Sequence, residues 1–365
     1  MQIKKNILIC PLNWGLGHAT RCIPIINELN KTHNVIIASS GRSLDLLKSN
    51  FPNNKFIVFN DYNIMYPKNS LMALKMFFYI PKISYLILKE NIILKQLIKE
   101  NNIDIVISDN RYGLFSKKAK SIFITHQIYI KTPFLLKFLE PLIFKLNRFF
   151  IRKYDELWIP DYENKEFNLA GDLSHNFNKK SFKNIKFIGP LSRFENNKHF
   201  EKEDISDKKY DFFVIISGPE PQRTIFENII LHNLQKNKFS AVVVLGKPEE
   251  NGFYLINENI EVYSNLKTID FFNKIKNSEI VISRPGYSTI MDIAFLKKKA
   301  VFIPTPGQTE QFYLSKYYSD NNLFYSIEQE KLDLHTVSKF AKNGFIDIDF
   351  SKINNNCLIN ALNCL

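Results

Sequence analysis

Cysteine is scarce in this chain: Cys10, Cys22, Cys357 and Cys364 are the only four in 365 residues, and none stands at C-x-x-C spacing. Neither a zinc site nor a disulfide framework is indicated, and a reducing compartment is the simplest expectation. Long apolar runs are lacking as well. No stretch reaches the ~18 uncharged apolar residues of a membrane span. The run Ile7-Leu8-Ile9-Cys10 after Lys4-Lys5 is too short for a signal-peptide core. The expected location is therefore the cytoplasm. Acids are in deficit, 36 against 49 Lys and Arg, which leaves a net charge of +13. That balance attracts nucleic acid, a membrane surface or phosphorylated substrates, although an Asn- and Lys-rich background gives the same excess without functional meaning. The basic residues are dispersed and no recognised binding motif accompanies them, so no nucleic-acid partner is expected.

Hydrophobic content is ample: 45% of the chain, with 32 Phe and 16 Tyr. The length suits two domains of roughly 150 to 200 residues each. Short apolar runs at Asn6–Cys10, Asn34–Ala38, Lys55–Phe59, Ile103–Ser108 and Ser121–Thr125 alternate with helical stretches such as His18–Asn30 and Ser43–Ser49. This alternation predicts a parallel sheet covered on both faces. After a polar segment, Arg193–Lys209, the pattern restarts at Tyr210–Ile216 and continues through Ala241–Leu245, Ile260–Tyr263, Glu279–Ile282 and Ala300–Ile303. The expectation is an α/β protein of two Rossmann-like, doubly wound domains facing a central cleft, residues 1–195 and 210–365. No internal repeat stands out, and Asn354-Asn355-Asn356 is a minor low-complexity run.

Two loops in the second half carry the most chemistry. Ser283-Arg284-Pro285-Gly286-Tyr287-Ser288 follows an apolar run and opens a helical segment, where free N–H groups and the positive end of the helix dipole favour a phosphate and a glycine permits its close approach. A strand later comes Thr305-Pro306-Gly307-Gln308-Thr309-Glu310-Gln311. Loops at the carboxyl ends of successive parallel strands line one crevice, which favours a diphosphate ligand over a plain turn capped by serine. At the first turn of the second domain, Ser217, Gly218 and Arg223 read either as phosphate contacts, since arginine holds two oxygens at once, or as a surface turn.

In the first half, Asn13-Trp14-Gly15-Leu16-Gly17-His18-Ala19-Thr20-Arg21 lacks the third glycine of the dinucleotide fingerprint, which disfavours a dehydrogenase. It does place His18 at a strand's carboxyl end. Asp109 ends the Ile103–Ser108 strand at the same edge, followed by Asn110-Arg111-Tyr112-Gly113. A carboxylate bonded to one imidazole nitrogen fixes the tautomer and leaves the other as a base, and such a pair can deprotonate a hydroxyl. Thr125-His126-Gln127 ends the next strand; there a cleft-lining histidine and a satisfied buried one are equally consistent. Asp347-Ile348-Asp349 is read as surface, and no metal site and no cofactor are expected.

The paired loops of the second half resemble the donor-binding half of GT-B glycosyltransferases, closest to the MurG-type enzymes that transfer N-acetylglucosamine from UDP to a lipid-linked acceptor. The His18 and Asp109 pair resembles the inverting UDP-glycosyltransferase class. The resemblance implies donor contacts from Ser217, Gly218, Arg223, Ser283, Arg284, Gly286, Tyr287 and Ser288. It also puts Asp292 where a family glutamate holds the ribose hydroxyls, and Glu310 and Gln311 at the sugar. Acceptor contacts would come from Gly15, Gly17, Thr20, Arg21, Arg111 and His126. The family's longer glycine run is reduced here to Gly15 and Gly17, and Asp replaces Glu at position 292. The implied reaction is an inverting, metal-independent transfer from a UDP-sugar. The rivals are a hydrolysing UDP-sugar 2-epimerase and a catalytically silent nucleotide-sugar-binding protein at the membrane periphery. Two first-half segments, Leu71–Leu97 and Phe134–Lys153, bear on an anionic membrane partner at the inner face. The second sets Lys137, Lys145, Arg148, Arg152 and Lys153 among Leu, Ile and Phe against one acid, Glu140, a composition shared by interfacial helices and by core helices with solvated lysine edges.

Overall fold

Asn6–Pro11 forms β1, with five of its six residues buried, as an apolar strand covered on both faces must be. The computed structural model describes residues 4–61, 72–164, 168–195, 209–342 and 356–365. After β1 come α1 (Gly17–Leu29), β2 (Asn34–Ser39), α2 (Gly41–Asn50), β3 (Lys55–Val58), α3 (Met72–Asn101), β4 (Ile105–Asp109) and β5 (Lys120–Ile124). A 3-10 turn at Phe134–Leu139 leads into α4 (Glu140–Ile151), then β6 (Glu156–Ile159), α5 (Asp172–His175) and β7 (Ile185–Phe187). The seven strands make one sheet in the order β3-β2-β1-β4-β5-β6-β7, and all six pairings are parallel. The order reverses between β1 and β4, where Pro11 pairs with Asp109. Ligands of open α/β sheets bind at such a switch point, outside the carboxyl ends of the strands.

The second sheet repeats the plan with β8 (Tyr210–Ile215), α6 (Gln222–Lys236), β9 (Ala241–Val244), β10 (Phe253–Asn257), β11 (Ile260–Tyr263), α7 (Thr268–Lys276), β12 (Ser278–Ser283), α8 (Tyr287–Phe295), β13 (Lys299–Phe302), α9 (Thr309–Asp320), β14 (Tyr325–Ser326) and α10 (Leu334–Lys342). Its order is β10-β11-β9-β8-β12-β13-β14. Here the switch point lies between β8 and β12, where Ser283 pairs with Ile215. Valine, isoleucine and phenylalanine from β8, β9, β12 and β13 pack with Phe226, Ile230 and Leu234 of α6 in one core. The chain is thus α/β throughout.

The chain divides into two units, Met1–Leu191 with Ile353–Leu365, and Ser192–Lys352. This corrects the expected boundary 210–365 at its far end, because α11 (Cys357–Leu362) groups with the first unit. There α11 buries Leu358, Ala361 and Leu362, and Lys5 Nζ donates to the Leu365 carbonyl at 2.5 Å. A short apolar helix outside the strand–helix alternation carries no local sign of which sheet it will cover. β10, antiparallel to β11, was also unanticipated; its Phe-Tyr-Leu side chains are exposed, so it lacks the buried apolar face that marks a strand. Most of the polar segment Arg193–Lys209 and all of Asp347–Asp349 lie outside the described residues.

Candidate functional site

At the first switch point β4 delivers Asp109, fully buried, against the first turns of α1. Asp109 Oδ1 lies 2.8 Å from His18 Nδ1. Arg21, three residues further along α1 and 1% exposed, donates Nε to Asp109 Oδ2 at 2.5 Å and Nη2 to Oδ1. Its Nη2 also lies 2.9 Å from His18 Nδ1. The carboxylate only accepts and the guanidinium only donates, so Nδ1 either gives a proton to Asp109 or takes one from Arg21. Arg21 Nη2 already donates to Oδ1, and the tautomer with the proton on Nδ1 completes the Asp109 bond and leaves the Nε2 lone pair. Arg21 Nη1 reaches His126 Nδ1 at 2.9 Å. Guanidinium only donates, so His126 carries its proton on Nε2. Burial pushes the Asp109 carboxyl up, but Arg21 and then His18 more than offset this and hold it well below the usual carboxylate range.

The loop feeding α1 is shaped for close approach. Gly15 has φ +77 with nothing near its absent side chain, and α1 starts at Gly17 without any side-chain cap. Other residues expected on the acceptor side turn inward. Thr20 returns its hydroxyl to the Leu16 carbonyl at 2.9 Å. Arg21, expected to meet acceptor, is consumed by Asp109 and the two histidines. Arg111 is fully buried: it pairs with Glu90 at 2.7 Å, donates to the Asn60 carbonyl and stacks 4.5 Å over Phe59. Both arginines, expected as acceptor contacts, are buried in the interior, where a neighbouring carboxylate offers each a partner that water would otherwise supply. His126 is buried and joined to the pair through Arg21.

At the second switch point the loops after β8, β12 and β13 converge. Four buried side-chain atoms there have no hydrogen-bond partner: Gln222 Oε1, Ser283 Oγ, Arg284 Nε and Thr305 Oγ1. They belong together. Arg284 Nη2 donates to the Gln222 carbonyl at 3.3 Å, Nη1 reaches the Ile303 and Pro304 carbonyls, and a Cβ on Gly218 would lie 3.7 Å from Thr305 Oγ1. Gly218 has φ +116, a conformation that glycine adopts without strain. Gly286 caps α8 with no side-chain hydrogen bond to the helix start, and a Cβ there would find only Thr289 Oγ1, at 3.9 Å. Unsatisfied buried polar groups are rare in folded proteins. Their grouping beside an uncapped helix start makes this the candidate ligand cradle of the second unit.

Several donor-side residues stand differently from expectation. Arg223 is held by Glu220 and Glu227, each at 2.5 Å, so carboxylates of α6 and its approach take up its charge. Arg284 is 1% exposed and clamps carbonyls; burial pushes its guanidinium down to about 9. Asp292 accepts from Ser192 Oγ at 2.9 Å, Arg193 N at 3.1 Å and Arg193 Nε at 2.8 Å. Its carboxylate therefore ties down the start of the second unit. Gln311 takes the Thr305 N–H at 2.7 Å and braces its own loop. Ser217 and Glu310 remain half-buried, and Tyr287 and Ser288 open α8. Thr305 lies in the loop singled out from the sequence, but neither it nor Gln222 is among the contacts expected there; a hydroxyl just past a strand end is a readable signal.

Among the described residues no group of three or more His, Cys, Asp or Glu is placed to hold a metal ion. No described helix is long and apolar enough to cross a membrane. A broad apolar face is nevertheless exposed on the first unit. Phe134, Leu135 and Phe138 are 88%, 83% and 75% exposed, followed by Leu142, Leu146 and Phe149 along α4. Lys137, Lys145 and Arg152 are exposed among them. The one acid, Glu140, faces inward and accepts from Thr132 N at 3.0 Å. Tyr85, Leu88 and Ile92 form a second exposed row on α3.

Two family descriptions match this architecture: "Glycosyltransferase family 28 C-terminal domain" over residues 220–353 and "Glycosyl transferase family 1" over residues 6–123. An uncharacterised glycosyltransferase of Methanosarcina mazei is 25% identical over 85% of this chain and 81% of its own. The UDP-N-acetylglucosamine–N-acetylmuramyl-(pentapeptide) pyrophosphoryl-undecaprenol N-acetylglucosamine transferase of Rickettsia canadensis is 21% identical over 70% of each. Among solved structures, the kitacinnamycin glycotransferase superposes with a TM-score of 0.62, at 11% identity, over 99% of this chain and 94% of that one. The UDP-GlcNAc 2-epimerase of Neisseria meningitidis, bound to UDP-GlcNAc, superposes with 0.56, at 17% identity, over 99% of both. Those two likenesses establish the fold, which transferases and epimerases share. The protein is an enzyme of the glycosyltransferase class built on the GT-B fold. The family 28 C-terminal description covers residues 220–353, and MurG-like transferases are among the chain's low-identity relatives.

Proposed function

We propose that this glycosyltransferase is inverting and metal-independent, and that it moves N-acetylglucosamine from UDP to the hydroxyl of a lipid-linked acceptor. The His18–Asp109 hydrogen bond at the first switch point carries the reading, because it leaves a basic Nε2 beside a glycine loop open to a ligand. The acceptor oxygen attacks the anomeric carbon as its proton passes to His18 Nε2. The bond from that carbon to the diphosphate oxygen breaks, and UDP leaves with the electron pair. The start of α8 and the hydroxyls of Ser283 and Thr305 are suited to receive the developing negative charge. Arg223 is occupied by Glu220 and Glu227 and takes no part in this step, while Arg284 spends Nη1 and Nη2 within the fold and keeps only Nε for the ligand. The donor sugar and the lipid acceptor are inferred from the activity for which the Rickettsia relative is named. The basic, apolar face at 134–152 supports work at a membrane, since isolated apolar patches of this extent mark interaction surfaces.

A panel of nucleotide sugars tested for protection against thermal unfolding identifies the donor without knowledge of the acceptor, because a ligand of the native state raises its stability by mass action. UDP-N-acetylglucosamine is expected to protect best. His18→Ala is expected to keep that protection while transfer falls by about 10²- to 10⁴-fold. Conversion of the donor alone to UDP-N-acetylmannosamine would replace transferase by epimerase. Near-normal transfer in His18→Ala would move the base elsewhere.

A further inference from the structure

Arg21 is the one residue that touches every other member of the first-unit cluster. Its three nitrogens bond both oxygens of Asp109 and Nδ1 of His126, and Nη2, committed to Asp109 Oδ1, passes 2.9 Å from the His18 Nδ1 that shares that oxygen. We infer that Arg21 is a positioning residue for the base: it keeps Asp109 ionised in a buried site, so that Asp109 holds His18 in the Nδ1–H tautomer, and it locks His126 as the Nε2–H tautomer. This inference rests on the reading of His18 as the base and adds the device that sustains it.

The physical need is clear from burial. Asp109 has no access to water, and a carboxylate without a cation in such a place takes up a proton. His18 alone does not supply the counter-charge, because a general base must be neutral before it acts. A fixed guanidinium solves this, since it never gives up its proton at working pH and its fork matches a carboxylate edge. The spacing fits as well: three residues apart on α1, His18 and Arg21 share a helix face and reach one carboxylate together. The other ionisable groups facing the cluster add no charge. Burial pushes the Cys10 thiol up to about 12, and burial with Asp109 beside it pushes the Cys22 thiol further, so both stay protonated. His126 faces the cluster with the nitrogen that accepts from Arg21. Once Asp109 is protonated it no longer accepts from His18 in the same way, and the tautomer that exposes the Nε2 lone pair is no longer selected.

The test uses the full chain and needs no substrate for its first two readings. With aspartate side chains labelled, the Asp109 carboxyl signal, assigned by its loss in Asp109→Asn, is expected to stay constant from pH 8 down to the acid limit of folding in the wild type. In Arg21→Gln it is expected to titrate inside that range, with Arg21→Lys between the two. In the wild-type protein the His126 nitrogen signals are expected to show Nε2 protonated and Nδ1 bare. With UDP-N-acetylglucosamine as donor, Arg21→Gln is expected to lower kcat by about 10-fold or more at neutral pH, recovering as pH rises, with the donor KM unchanged. A folded Arg21→Gln protein whose Asp109 signal follows the wild type overturns the inference. So does a wild-type His126 protonated at Nδ1, which settles the matter even if Arg21→Gln fails to fold. The spectroscopic readings stand or fall whether or not the protein proves to transfer N-acetylglucosamine.

Discussion

Arg193 Nε lies 2.8 Å from Asp292 Oδ2, and the Arg193 backbone N–H and Ser192 hydroxyl both reach Oδ1 of the same carboxylate. The residue that the family resemblance assigns to the ribose is thus committed to an internal tie, with only 3% of its side chain exposed. Asp292→Asn is expected to lower stability by about 3 kcal/mol, because removing one partner leaves a guanidinium poorly matched in a largely buried site. Thermal unfolding measures this. An unchanged melting temperature together with lost UDP affinity would instead assign the carboxylate to the nucleotide.

The start of α8 offers a cleaner probe of the donor site. Gly286 has φ −74, and a Cβ there meets nothing closer than Thr289 Oγ1 at 3.9 Å, so the fold does not need glycine. Gly286→Val is therefore expected to fold with little change in stability while its side chain occupies the approach to the helix start, and UDP affinity should drop by about an order of magnitude, or roughly 1.4 kcal/mol. Calorimetric titration with UDP checks it, and undiminished binding by the folded variant would remove the cradle from this position.

The buried parallel strands named from the sequence, and the chemistry-bearing loops at their ends, were legible because such strands are short apolar runs whose ends are marked by polar or glycine residues; β10 and the strand order that creates the switch points were not. His18 and Asp109 stand at two such ends, and β1 pairs with β4 in register at Pro11 and Asp109. The direction of a side chain at a strand end or first helical turn is not written in that pattern. Arg21, Arg111, Arg223 and Arg284 all stand near crevice loops, and all four turn inward to carboxylates or carbonyls. The signal for Arg21 was present, since its i+3 spacing from His18 puts both on the helix face that meets Asp109. The return of α11 to the first unit was illegible, because Leu358, Ala361 and Leu362 are apolar enough for either core.

Asp109 makes stability depend on pH in a predictable direction. Its folded carboxyl is held well below the value of about 4 that it has when unfolded. Its contribution to stability is therefore complete above that value and is lost as pH falls through the folded one. Asp109→Asn is expected to lower the stability at neutral pH by about 3 kcal/mol or more, because Arg21 is left buried without its counter-charge. The gap in melting temperature between the two proteins is expected to narrow as pH drops below about 4. A gap constant from pH 7 to pH 3 would mean that ionisation of Asp109 contributes nothing to the fold.

Membrane association follows from the charge and exposure of the face at 134–152 and is tested by reversing only what is free to change. Arg148 donates Nε to the Ser181 carbonyl at 3.2 Å, and Lys153 lies 4.7–5.3 Å over the rings of Phe115, Phe149 and Phe150, so substitutions at either would disturb the fold as well as the surface. Lys137, Lys145 and Arg152 are exposed. Changing these three to Glu is expected to abolish binding to phosphatidylglycerol-containing vesicles at low salt, since each cation near an anionic surface contributes about 1 kcal/mol and its reversal adds repulsion. Phe134→Ser with Phe138→Ser is expected to weaken binding with less dependence on salt, because it removes apolar contact and leaves the charge. Melting temperature and UDP affinity should hold in both variants, as the side chains changed are exposed and belong to the first unit. If the wild type ignores anionic vesicles at low salt, or the triple variant binds them equally well, the face serves another partner and the lipid-linked acceptor loses its main physical support.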